Sequence, residues 1–248
     1  MIEDSAAALA RHKAGEHRVG RLQEHLKQIV YGGNDGIVTT FSVVAGFAGF
    51  GAEGAATVGG IAVLLFGLAN LFADGTAMGL GEYLSSLSEA DVYRGARAKE
   101  LTEIRGDAAG ETAEAVQMLT ERGLDAADAR TVAEVMARNP EFMADFMMQY
   151  EIGVADPGSA GAAVRGLVTF VAFVVFGMAP LIPYFLLAPV PSTFLVSIAA
   201  TFASLVALGL LRWRVTTQGL ARCVGDTVLV GGICAAVAYA VGWAFRAA

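Results

Sequence analysis

Five apolar stretches, residues 31–50, 57–80, 167–187, 192–211 and 224–245, are each long enough to cross a bilayer, a span needing about 20 residues. Hydrocarbon offers backbone groups no partners, so each stretch must close its own hydrogen bonds as a helix. The expected fold class is an all-α membrane protein with five transmembrane helices. Composition agrees, with 55% hydrophobic and 17% charged residues, where soluble domains carry about 25% charged residues. Residues 29–84 would hold helices 1 and 2, residues 162–248 helices 3 to 5, and residues 85–161 a cytosolic helical domain inserted between helices 2 and 3. Residues 1–28 read as a polar tail without a signal-peptide pattern. The tail turns into an interfacial helix with Leu22, Leu26, Ile29 and Val30 on one face.

Orientation follows from the basic residues. Arg11, Lys13, Arg18, Arg21 and Lys27 precede the first stretch, Arg94, Arg97 and Lys99 follow the second, and Arg212, Arg214 and Arg222 lie between the fourth and fifth. The loop around Glu53 and the proline-rich turn at 187–192 have no Lys or Arg. Five spans put all three basic regions on one side, so the N-terminus and the insert are expected in the cytosol and the C-terminus outside. Glycines recur through the spans, among them Gly32, Gly36, Gly75 and Gly79, and small residues let helix backbones approach closely.

The insert carries the charge. Residues 85–161 contain 15 Asp plus Glu against 7 Lys plus Arg, a balance of −8. That sign excludes a nucleic-acid partner and suits cations. Gly106 and Gly110 predict a break in the helix leaving the membrane, Gly123 ends the next helix, Asp125 caps another, and Asn139-Pro140 stops one helix and starts the last. A domain of about 75 residues has a marginal core, which a bound metal or a second subunit would help to stabilise.

Two carboxylate pairs stand out in that domain. Glu100/Glu103 and Glu111/Glu114 are each spaced three apart, hence neighbours on a helix face, and neither pair has a lysine four residues on. They are either a solvated acidic face or a cation site. On the last helix Met143, Met147 and Glu151 recur at four-residue intervals, a stripe that is either core filler or thioether and carboxylate ligands. Such a donor set suits Fe²⁺ or Mn²⁺ better than Mg²⁺ or Ca²⁺. No histidine follows His25, which argues against a Glu-x-x-His di-iron enzyme. The two cysteines, Cys223 and Cys234, have no disulfide or zinc spacing.

Polar residues inside the spans are the third signal, since ionisable groups there usually mark an ion path. Asn70, Asp74, Met78 and Glu82 recur every four residues along one helix stripe. Asp35 lies near the start of the first span and is either a pathway residue or a helix cap. Asp226, near the start of the fifth, is expected to cap.

Together, Tyr31-Gly-Gly-Asn-Asp-Gly-Ile-Val-Thr-Thr-Phe-Ser, Ala77-Met-Gly-Leu-Gly-Glu-Tyr-Leu-Ser and the helical insert resemble the vacuolar iron transporter family, from about Leu26 onward. The resemblance implies a homodimer with five spans per subunit that moves Fe²⁺, often also Mn²⁺, out of the cytosol in exchange for protons. By position it implies Asp35 and Met78 as essential pathway ligands, to which the polar stripe adds Asp74 and Glu82. It implies Glu100, Glu103, Glu111, Glu114, Met147 and Glu151 as the cytosolic metal ligands. The expected partners are then the lipid bilayer, protons and divalent transition metals carried as cargo, with no permanently bound cofactor and no enzymatic activity. The compact Ala/Gly-rich chain suggests a prokaryotic cell membrane, or a vacuolar-type membrane in a eukaryote. The competing readings are a membrane-anchored carboxylate-site metal oxidase and a non-transporting metal sensor.

Overall fold

A computed structural model describes residues 20–50, 60–158, 161–188 and 190–246. The first 19 residues of the expected tail, with His12 and His17, and the loop around Glu53 lie outside the described residues. The described elements are helices: α1 (Arg21–Glu24), α2 (Leu26–Phe50), α3 (Gly60–Gly106), α4 (Ala108–Glu121), α5 (Ala126–Ala137), α6 (Pro140–Tyr150), α7 (Ala162–Gly177), α8 (Ile182–Leu186), α9 (Pro191–Val215) and α10 (Leu220–Arg246). They form two compact units. One holds α1, α2, α3 as far as Glu82, and the chain from Ala163 onward; the other is Tyr83–Ala162.

In the first unit, helix backbones meet where glycine leaves room. A Cβ on Gly32 would stand 2.5 Å from the Thr169 carbonyl oxygen, one on Gly36 would strike that of Phe173, and one on Gly79 would stand 2.9 Å from that of Gly166. Around these crossings Phe41, Val44, Leu71, Phe173 and Leu181 form a buried cluster, with Phe41 and Phe194 stacked at 6.3 Å between ring centroids. Many large apolar side chains on α3, α7, α9 and α10 face outward, Leu65, Val175, Leu195 and Trp243 among them. That is the pattern of helices whose solvent is lipid. Three described helices, Gly60–Gly106, Ser192–Val215 and Leu220–Ala244, are long and apolar enough to cross a membrane, and Ala162–Gly177 is a shorter apolar helix. α2, at 25 residues, has the length of a span.

Two expectations need correction, and one alternative falls. The third apolar stretch is not one helix: α7 ends at Gly177 and α8 begins at Ile182. Pro180 and Pro183 lack the N–H donors a continuous helix needs, and the Pro180 carbonyl accepts a hydrogen bond from the Ser197 hydroxyl at 2.6 Å. Asp226 does not cap, because α10 begins six residues earlier at Leu220. The alternative of Asp35 as a cap falls as well, since it lies inside α2.

In the second unit the expected boundaries appear with their causes. α3 runs without interruption to Gly106. Asp107 then caps α4, accepting from the Gly110 N–H at 2.9 Å. Gly123 adopts φ +101°, a left-handed conformation that ends the helix. Asp125 caps α5 through the N–H groups of Ala127 and Asp128, and Asn139 caps α6 with Pro140 in its first turn. Ile104, Ala115, Leu119, Ala129, Ala133, Met136, Met143, Ala144 and Met147 form one small core.

Candidate metal centre

The break at Asp107 decides how the glutamates meet. Glu100 lies near the end of α3, Glu111 in the first turn of α4, and Glu151 is the residue that closes α6. One carboxylate oxygen from each lies within 4.8 Å of the other two. A divalent cation binds oxygens at about 2.0–2.6 Å, so oxygens on one ion stand no more than about 4–5 Å apart, and the trio needs little contraction to share one.

Burial at its centre makes this trio different from a solvated acidic face: Glu100 is buried, Glu111 half-buried and Glu151 exposed. Glu100 is only 3% exposed, and one oxygen of Glu100 and one of Glu111 are buried without a hydrogen-bond partner. Burial, then the nearby Glu111 and Glu151, pushes the Glu100 carboxyl up to about 7. Glu111 is raised by burial and by Glu114, although its hydrogen bond with Glu100 opposes the rise. Glu151 is raised by burial, then by Glu114 and Glu103, against a lowering by Lys99. Without a cation, burial of Glu100 and repulsion among the three carboxylates favour its protonated form over full ionisation of the trio.

The other expected ligands sit differently. Glu103 and Glu114 are exposed and reach the trio through charge alone. Counting only lysines four residues ahead overlooked Lys99, four residues behind, whose Nζ lies 3.2 Å from a Glu103 oxygen. Met147 is fully buried in the apolar core beside Met143, one turn before Glu151, whose N–H it accepts at 2.9 Å.

In the first unit the polar stripe runs along α3 as read. Asn70, Asp74, Met78 and Glu82 are all half-buried. Asp74 is close enough to Asp35 to act on it electrostatically, and Met78 packs against the cluster of Phe41, Leu71 and Phe173. Glu82 accepts a hydrogen bond from Gln28 at 2.8 Å, a contact 54 residues apart that no local pattern announces. Asn70 and Ser42 line an open, mostly apolar groove of about 730 Å³ between α2, α3 and Gly242 of α10.

Comparison with known proteins meets this geometry from another direction. A sequence profile of the VIT family matches residues 26–243. Vacuolar iron transporter 1 of Oryza sativa subsp. japonica is 29% identical over 239 residues, covering 96% of this chain and 92% of the rice protein. The vacuolar iron transporter of Plasmodium berghei is 32% identical over 220 residues, 85% of this chain and 78% of its own. That of Toxoplasma gondii is 32% identical over 257 residues, 97% and 83% respectively. These relatives are named as transporters, not as enzymes. A helical chain with lipid-facing spans, a trio of converging carboxylates around a buried Glu100 and a match over residues 26–243 belongs to the VIT family.

Proposed function

We propose that this protein moves Fe²⁺, and also Mn²⁺, out of the cytosol in exchange for protons, working as a homodimer with five spans per subunit. The observation that carries the reading is the Glu100/Glu111/Glu151 trio, three converging carboxylates built around the buried Glu100, on a VIT-family chain. Relatives named as iron transporters support iron as the cargo. The distribution of Lys and Arg supports a cytosolic insert and N-terminus, with the C-terminus outside.

In this mechanism the acidic domain concentrates cations by its field, and Glu100, Glu111 and Glu151 take one up as the Glu100 proton leaves. Glu103 and Glu114 add charge at the rim and enter the shell when the ion is bound, as does the Met147 thioether. The ion then passes to the pathway of Asp35, Asp74, Met78 and Glu82. A carboxylate that binds a cation cannot hold a proton at the same oxygen, so a proton arriving at Asp35 from the far side displaces the metal. That exclusion is the coupling.

The pathway assignment is tested in proteoliposomes. Asp35→Ala and Met78→Ala should each abolish Mn²⁺ and Fe²⁺ flux while leaving metal binding by the soluble domain intact. Wild-type flux in both variants would remove Asp35 and Met78 from the mechanism.

A further inference from the structure

α6 is the helix that delivers Glu151 to the trio, and it is held both by an apolar face and by polar contacts. Its buried face is Met143, Ala144, Met147 and Met148. Methionine is unbranched and adapts to irregular gaps, so this face specifies one register less sharply than branched side chains would. Polar contacts from α3 add a directional hold on α6. The Arg97 Nε donates to the Asp145 carboxylate at 2.8 Å, and an Nη lies 2.9 Å from the Glu141 carboxylate and donates to the Glu141 carbonyl at 3.3 Å. Glu141 and Asp145 are four residues apart, one turn of α6, where two like charges would repel each other. The planar fork of Arg97 spans both. Arg105 reaches Glu141 as well, at 3.4 Å. At the other end of α6, Arg122 of the α4 cap lies 4.4 Å from the Tyr150 ring centroid.

Arg97 stands three residues before Glu100 on the same helix, within reach of an ion pair with it. Its ion pairs are instead with Glu141 and Asp145, which leaves the buried Glu100 oxygen unpartnered.

We propose that Arg97 is a positioning residue for the metal centre, locking α6 against α3 so that Glu151 meets Glu100 and Glu111 while its own charge stays off the ligands. This rests on the metal-binding reading above. Charge alone predicts the opposite behaviour, since removing a cation from an acidic site should tighten metal binding. Positioning predicts weakening, by about tenfold, as for other groups that orient ligands.

The test is Mn²⁺ titration calorimetry on the full-length protein in detergent. Arg97→Ala should weaken Mn²⁺ binding about tenfold, Arg97→Lys by less, and Arg97→Ala should add nothing further in a Glu151→Gln background. Unchanged or tighter binding in Arg97→Ala, or an equal loss in both backgrounds, overturns the assignment. Asp145→Asn attacks the same clamp from the exposed side of α6 and should weaken binding in the same direction; with Arg97→Ala unfolded, unchanged binding in Asp145→Asn overturns it. Loss in Glu151→Gln without loss at the clamp overturns this inference alone. No loss in Glu151→Gln overturns the metal reading and this inference together.

Discussion

At Glu100 a carboxylate is withheld from water and faces two others, which costs stability whenever all three are ionised. The sign can be worked out from its shift. The folded-state value, about 7, lies above the ordinary 4.5, so the folded chain binds the proton more tightly than the unfolded chain. The associated stability is therefore present below about pH 4.5 and is lost as pH rises through about 7, an effect of at most about 3 kcal/mol. Metal-free protein should melt at a lower temperature at pH 8 than at pH 5.5, and Mn²⁺ should raise the pH 8 value most. Glu100→Gln, which cannot ionise, should flatten the pH dependence and also remove the Mn²⁺ effect. A Glu100→Gln variant that keeps both the slope and the metal response would place the titrating ligand elsewhere.

At the scale of elements, α2 and α7 meet through glycine. Gly36→Ala forces a methyl into the Phe173 carbonyl oxygen and should destabilise the membrane unit by about 1–3 kcal/mol, read as a lower melting temperature in detergent; Gly81→Ala, with open space around its Cβ position, should not. The crossings could be anticipated because small residues in an apolar helix have few other uses. The helix ends of the insert were equally legible, since Asp125, Gly123 and Asn139-Pro140 act through contacts within a few residues. The interruption between α7 and α8 was not legible from hydropathy, which averages over a span's length; Pro180 and Pro183 were the available signal. Two long-range contacts were also hidden. Gln28 to Glu82 and Arg97 to Asp145 join residues 54 and 48 apart, and no local spacing encodes such pairs. Sequence alone could name the glutamates but could not separate the three that converge from Glu103 and Glu114, because that depends on the turn at Asp107.

For the whole molecule, one helix serves both units. α3 carries Asp74 and Met78 in the membrane-type unit and Glu100 and Glu103 in the acidic one, and the negative balance of residues 85–161 gives the acidic unit a field that attracts cations. The central claim is that this chain couples metal movement to protons, and the direct measurement is metal accumulation in proteoliposomes of controlled lumenal pH. With an acidic lumen, Mn²⁺ or anaerobic Fe²⁺ added outside should accumulate above its external concentration while lumenal pH rises, and the accumulation should collapse when a protonophore removes the gradient. Protein-dependent metal entry of equal rate and extent with and without the gradient would contradict the account.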